Sequence, residues 1–284
     1  MTEQPCAPGA VTEIRELTPG DLEACLEVAA DRGWDREERK WRFLLECGRG
    51  YGLVDSGGEL LATAVLTRYG TRTAAISMVL VASRYARRGL GRRLVGHVAE
   101  RAGGATVFLN ATEMGRPLYE RLGFRVTSAV TMHLGTFTGK PSERSRPAVP
   151  RDLMATADLD AEVVGADRAA LLVRYAGFAE QIRVIDDGGR VTGYAGMWRN
   201  VHNTVIGPVI AANLADARAL IADLAAQAGG PVRVEVEKRR TGLAGWLEGH
   251  GVTATMRTSD MVLGGGPLPG DRSRFFAPVM SALG

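Results

Sequence analysis

The sequence predicts an α/β protein built from two successive units that share one order of elements. Three observations predict it. An apolar run over 76–81 meets a basic turn punctuated by Gly89 and Gly91, after which Leu90, Leu94, Val98 and Ala102 recur at helical spacing. A stretch rich in proline, serine and charge, 139–150, interrupts the chain near its middle. Beyond it a helix, a hairpin and a strand return in the order already met. A length of 284 residues accommodates two domains of the usual ~100–200 residues.

Taken in order, 1–10 read as a loose arm and 11–17 as a first strand. Pro19-Gly20-Asp21 opens a helix through Ala30, with Asp21 as its cap. A second helix starts in Trp34-Asp35-Arg36-Glu37-Glu38 and buries Trp41, Leu44 and Leu45. The runs 50–54 and 60–69 form a hairpin around Asp55-Ser56-Gly57-Gly58. Strand 74–81 feeds the basic turn, and its helix leads to a strand over 106–111. A short helix over 115–122 and a strand over 124–134 complete the unit. The first domain is therefore placed at 1–138, the linker at 139–150 and the second domain at 151–284. In the second half one helix is expected over 158–174, a hairpin around Asp186-Asp187-Gly188-Gly189, and a strand over 191–199.

Composition narrows the function classes. With 45% apolar and 24% charged residues the chain is ordinary globular protein, and a net charge of +3 is too small and scattered to argue for nucleic acid. No run approaches the ~18 apolar residues of a membrane span, and Glu3, Pro5 and Pro8 deny the start a signal-peptide core. Cys6, Cys25 and Cys47 are odd in number and lack metal-ligand spacing, so free thiols in a reducing, cytoplasmic setting and no metal site are expected.

The local basicity at 84–93 matters more. A helix N-terminus presents unpaired N–H groups and the positive end of a dipole, which together bind anionic oxygen. Gly89 and Gly91 let a pyrophosphate approach the backbone, and Arg87, Arg88 and Arg92 add charge. A nucleotide-binding loop of another fold would want Lys-Ser or Lys-Thr after the glycines, where Arg92-Arg93 stands.

Further on, Leu118-Tyr119-Glu120-Arg121-Leu122-Gly123-Phe124 ends a short helix. With the turn at 86–91, this segment resembles the GNAT superfamily of acyl-CoA-dependent N-acyltransferases, whose first motif runs Arg/Gln-x-x-Gly-x-Gly/Ala and whose second runs Leu-Tyr-x-x-x-Gly-Phe. Ala86 departs from the first, standing where Arg or Gln is usual. The resemblance covers nearly the whole chain and implies two tandem GNAT-like domains, each a mixed, mostly antiparallel sheet flanked by helices. In the second half Trp246-Leu247-Glu248-Gly249-His250-Gly251-Val252 aligns with the second motif but replaces its tyrosine by Leu247. The strand-to-helix position there, 205–216, has no Gly-x-Gly and no arginine and carries Pro208 and Asp216. An active first unit and a degenerate second one are expected.

The resemblance further implies acetyl-CoA as acyl donor, held by Val79, Leu80, Val81, Arg87, Arg88, Gly89, Leu90, Gly91 and Arg92, with Tyr119 as the acid for the departing thiolate. A neutral amine would attack the thioester directly, its carbonyl polarised by a backbone N–H near Leu80 or Val81. The strand position where many members carry a basic glutamate is Ala75, with Ser77 nearby, so a proton acceptor would have to be Asp31, Asp35, Glu113 or water, or be dispensable for an amine of low pKa. Trp34, Trp198 and Arg199 are candidates for binding a small-molecule amine between the halves. A monomer or homodimer is expected. A non-catalytic acyl-CoA sensor is the alternative, favoured by the missing glutamate and opposed by Tyr119.

Overall fold

The computed structural model describes residues 12–284, so the arm read at 1–10, with Cys6, lies outside the described residues. The first half contains β1 (Glu13–Glu16), α1 (Leu22–Asp31), α2 (Glu38–Cys47), β2 (Arg49–Val54), β3 (Leu60–Tyr69), β4 (Thr73–Val81), α3 (Leu90–Glu100), β5 (Thr106–Ala111), α4 (Arg116–Arg121) and β6 (Phe124–Gly135). The second contains β7 (Arg146–Pro147), α5 (Asp152–Val164), α6 (Ala169–Phe178), β8 (Gln181–Asp187), β9 (Arg190–Arg199), β10 (Thr204–Ile210), α7 (Leu214–Ala225), β11 (Val232–Glu237), α8 (Thr241–Glu248), β12 (Thr253–Leu263) and β13 (Phe275–Ala277). The helix expected over 158–174 is two helices. Gly165 ends α5 at φ 72°, a left-handed conformation that glycine adopts without the Cβ penalty.

All strands join one mixed sheet in the order β1-β2-β3-β4-β5-β12-β6-β11-β10-β9-β8-β7, with β13 on β10. The pairings are antiparallel except β4 with β5 and β10 with β11. At the centre the halves interleave. β12 lies between β5 and β6, and β6 lies between β12 and β11, so each half hydrogen-bonds its neighbour's final long strand.

The core follows from this sheet. On one side Leu94, Val95 and Val98 of α3 pack on the first half, and on the second half Leu220, Ile221 and Leu224 of α7 do the same. On the other side α1 and α2 meet α5 and α6 in one cluster that spans both halves, where the Phe43 and Phe178 rings stack at 4.1 Å. The connector is held down as well: the Asp223 carboxylate accepts bonds from the backbone N–H groups of Ser142, Glu143 and Ser145. Among the described residues no helix is long and apolar enough to cross a membrane.

Candidate active site

β4 stays beside β5 only from Thr73 to Ala75, then diverges. Its register against β3 shifts between Thr63 and Val65, where Met78 takes φ 50° and its carbonyl accepts the Thr63 hydroxyl at 2.8 Å. A bulge of this kind bends a strand and frees backbone from the ladder. Here it turns 79–81 away from β5 and opens a wedge in the sheet.

A 3-10 turn over Ser83–Tyr85 follows, braced by Asp31, whose carboxylate accepts Ser83 N–H at 2.5 Å and Ser83 Oγ at 2.7 Å. Those bonds hold the Asp31 carboxyl below its usual range. Arg87 at φ 63° and Gly89 at φ 79° then curl the chain into α3, which no side chain among the described residues caps. Its first N–H groups therefore face outward, as an anion site requires. A Cβ on Gly91 would lie 3.2 Å from a Leu118 methyl and 3.4 Å from one of Val81, so α3 packs closely on the wedge and a larger side chain at 91 would displace its neighbours.

The resulting cleft, about 1190 Å³, brings together Trp34, Val79, Leu80, Val81, Arg87, Gly89, Leu90, Gly91, Arg92 and Tyr119. Arg88 stands beside it with its guanidinium 5.4 Å from the Tyr85 ring centre. Tyr119 is 8% exposed on α4, edge-on to Phe124 at 6.0 Å. Burial raises its phenol well above the ordinary tyrosine range, so it stays protonated at neutral pH. Trp34, held by its N–H to the Ala29 carbonyl and lying 5.8 Å beneath Lys40 Nζ, lines the mouth.

Trp198 and Arg199 are not part of this cleft. Trp198 is 2% exposed, tilted against Phe178 at 5.2 Å, and donates its indole N–H to the Val279 carbonyl, because both faces of β9 are covered. Arg199 ion-pairs with Glu180 and donates to the Ala228 carbonyl. The second half supplies Thr255, Met256 and Arg257 of β12 instead. Nothing in the local sequence marks them, since only the interleaving of strands brings them to the wedge. Among the carboxylates weighed as proton acceptors, Glu113 lines the cleft, Asp31 braces the turn, and Asp35 lies 3.5 Å from His202. Ala75 and Ser77 are buried, and the Ser77 hydroxyl has no hydrogen-bond partner among the described residues.

The corresponding helix start in the second half is built differently. Asn213 caps α7 by accepting the Asp216 N–H at 2.9 Å, and the Asp216 carboxylate takes Arg144 Nε at 2.6 Å. That N-terminus is filled by the chain's own groups.

Two family profiles match the chain. Residues 13–124 match one described as the acetyltransferase (GNAT) family, and residues 156–277 match one described as an acetyltransferase (GNAT) domain. The chain belongs to the GNAT acetyltransferases. It carries two GNAT domains in tandem and is an acyltransferase of that family. The uncharacterized N-acetyltransferase YitH of Bacillus subtilis (strain 168) is 28% identical over 240 residues, 82% of this chain and 85% of its own. Among solved structures, a Pyrococcus horikoshii protein superposes with a TM-score of 0.82 at 19% identity, covering 100% of this chain and 99% of its own. A tandem GNAT protein from the clavulanic acid biosynthesis pathway gives 0.57 at 15% identity, covering 90% and 99%. These two likenesses concern the fold.

Proposed function

We propose that the first half transfers an acetyl group from acetyl-CoA to a primary amine of a small molecule, and that the second half binds no acyl donor. One observation carries this reading: the uncapped α3 start, with two left-handed residues before it, opens beside a wedge that ends on Tyr119. The donor's pyrophosphate fits the α3 N–H groups with Arg87, Arg88 and Arg92 around it, and its amides fit the freed edge of 79–81. Acetyl-CoA brings a thioester carbonyl open to attack by nitrogen. A backbone N–H of Leu80 or Val81 would stabilise charge on that oxygen; as the carbon–sulfur bond breaks Tyr119 would protonate the leaving sulfur, and the proton shed by the attacking nitrogen would pass through water and restore the phenol. Trp34 and the β12 residues wall the rest of the cleft. The capped α7 start and Leu247 in place of a tyrosine support a second half that shapes the site only. The free thiols of Cys25 and Cys47 support a reducing, cytoplasmic setting.

Calorimetric titration of the full chain with acetyl-CoA tests the reading. One equivalent should bind, and Gly91→Glu, which puts bulk and negative charge at the cradle, should abolish binding while the far-ultraviolet spectrum is kept. Two equivalents per chain, or unchanged affinity in the variant, would refute it.

A further inference from the structure

Where β12 enters the sheet, a separate cavity of about 310 Å³ lies between the halves, at the small end of ligand pockets. At ~30 Å³ for each water-sized group it holds about ten non-hydrogen atoms. Phe108, Phe275 and Phe276 supply apolar walls. A polar row crosses its floor on adjacent strands: Asn110 of β5, Asp260 of β12, Ser128 of β6 and Glu237 of β11, joined by the register Asn110–Asp260–Ser128.

Among the described residues, two of the charged groups in this cavity form no contact ion pair. Glu237 is taken by Ser128 Oγ at 2.5 Å and Arg239 Nε at 2.7 Å, and Glu235 by Arg233 and by Ser281 Oγ at 2.6 Å. Asp260, by contrast, has its bond to one oxygen only, from the Asn110 amide at 2.9 Å. Arg272 uses Nε on the Pro269 carbonyl at 3.2 Å and lies over the Phe275 ring at 4.9 Å, with no carboxylate on its guanidinium. Each charge is disfavoured by its surroundings. Burial first of all pushes the Asp260 carboxyl up to about 6 and lowers Arg272 to about 10, the latter helped by nearby Arg168. A half-buried carboxylate and a half-buried guanidinium that form no ion pair each gain from a ligand group of opposite sign.

A shallow depression lies between this cavity and the acyl-transfer cleft. Thr127, Ser128 and Arg239 on the cavity wall border that depression, whose other residues include Glu113 and Arg257, which line the cleft. The unpartnered, buried Ser77 hydroxyl lies on the same sheet face as Phe108, two residues past the Ala75–Phe108 pair, where β4 leaves β5.

We propose that this cavity is the acceptor site for an amino acid with an apolar side chain, its ammonium on Asp260, its carboxylate on Arg272 and its side chain among the three phenylalanines. This assignment rests on the acetyl-transfer reading for the step that follows binding, but the binding itself does not require the acyl donor.

The test uses the full chain, with L-leucine and L-methionine as probes against the amines that lack their carboxylate, isoamylamine and 3-(methylthio)propylamine. Calorimetry measures binding without acetyl-CoA, and thiol release measures turnover with it. Each amino acid should bind and should show a KM at least ~10-fold below that of its amine. Arg272→Met should raise the amino-acid KM by ~10–100-fold, the effect of one lost charge-assisted contact, so that the ratio to the amine falls to about one. Asp260→Asn should weaken both classes. Should Arg272→Met melt far below the parent, Arg272→Lys, which keeps charge but not the planar fork, replaces it and should reduce the ratio. Equal use of amino acids and amines, no binding of either probe, or a ratio untouched by the Arg272 variant would overturn the proposal. A protein that binds the amino acids but not acetyl-CoA would instead sink the acetyl-transfer reading and leave the site standing.

Discussion

Tyr119 draws its chemistry from the place where its ring is buried. With the phenol raised by burial, it can give a proton at neutral pH and cannot act there as a base. Tyr119→Phe should lower kcat by ~10²–10⁴-fold and leave acetyl-CoA affinity near the parent value, as expected for a lost acid. The parent's kcat against pH should also show no fall near pH ~10, where a free tyrosine ionises, because the buried phenol keeps its proton past that point. At this scale the sequence was informative where a residue's role is set by its immediate neighbours. Gly89 must reach φ 79° in the four residues between the 3-10 turn and α3, and that demand is visible as a glycine. The place of Trp198 is not legible locally, because a tryptophan at a strand end looks the same in sequence whether α6 or solvent covers it.

Among elements, the junction of β7 and α5 shows how ion pairs fix a connector. The Asp152 carboxylate takes both terminal nitrogens of Arg146, at 2.6 and 2.9 Å, and the Val149 N–H at 2.8 Å. The bond from Arg146 leads the causes that hold its carboxyl down to about 2. A carboxyl depressed in the folded state contributes stability above its unfolded value of ~3.9 and loses it as pH falls through the folded one. Asp152→Asn should therefore lower Tm at pH 7, and the gap to the parent should shrink between pH 4 and 2, as thermal melts across that range would show. The sequence marked the connector's composition but not its anchoring, which depends on Asp223 some 80 positions away. The break between α5 and α6 was missed for a similar reason. Gly165 is packed against Pro269 and Gly270, where a side chain would collide, and the helical period runs straight across it.

For the whole molecule the interleaved strands decide what can stand alone. A chain ending at Lys140 would lack β12 and β11, leaving β5 with one bare edge and β6 with no neighbour at all. Exposed edges and half of a shared core promote aggregation. That fragment should be insoluble or melt without cooperativity and release no thiol from acetyl-CoA, which sedimentation and calorimetry would establish. The sequence by itself determined the α/β class, the repeated order of elements, the glycine-arginine turn and the tyrosine helix, because propensity, periodicity and turn chemistry act over a few residues. Tertiary structure alone decided that β12 enters the first half's sheet, that Thr255, Met256 and Arg257 wall its cleft, and that Asp260 and Arg272 share a cavity. The physical reason is that strand pairing is chosen by edges and buried faces, which join residues 150 positions apart, as Asn110 and Asp260 are, with no periodic trace along the chain.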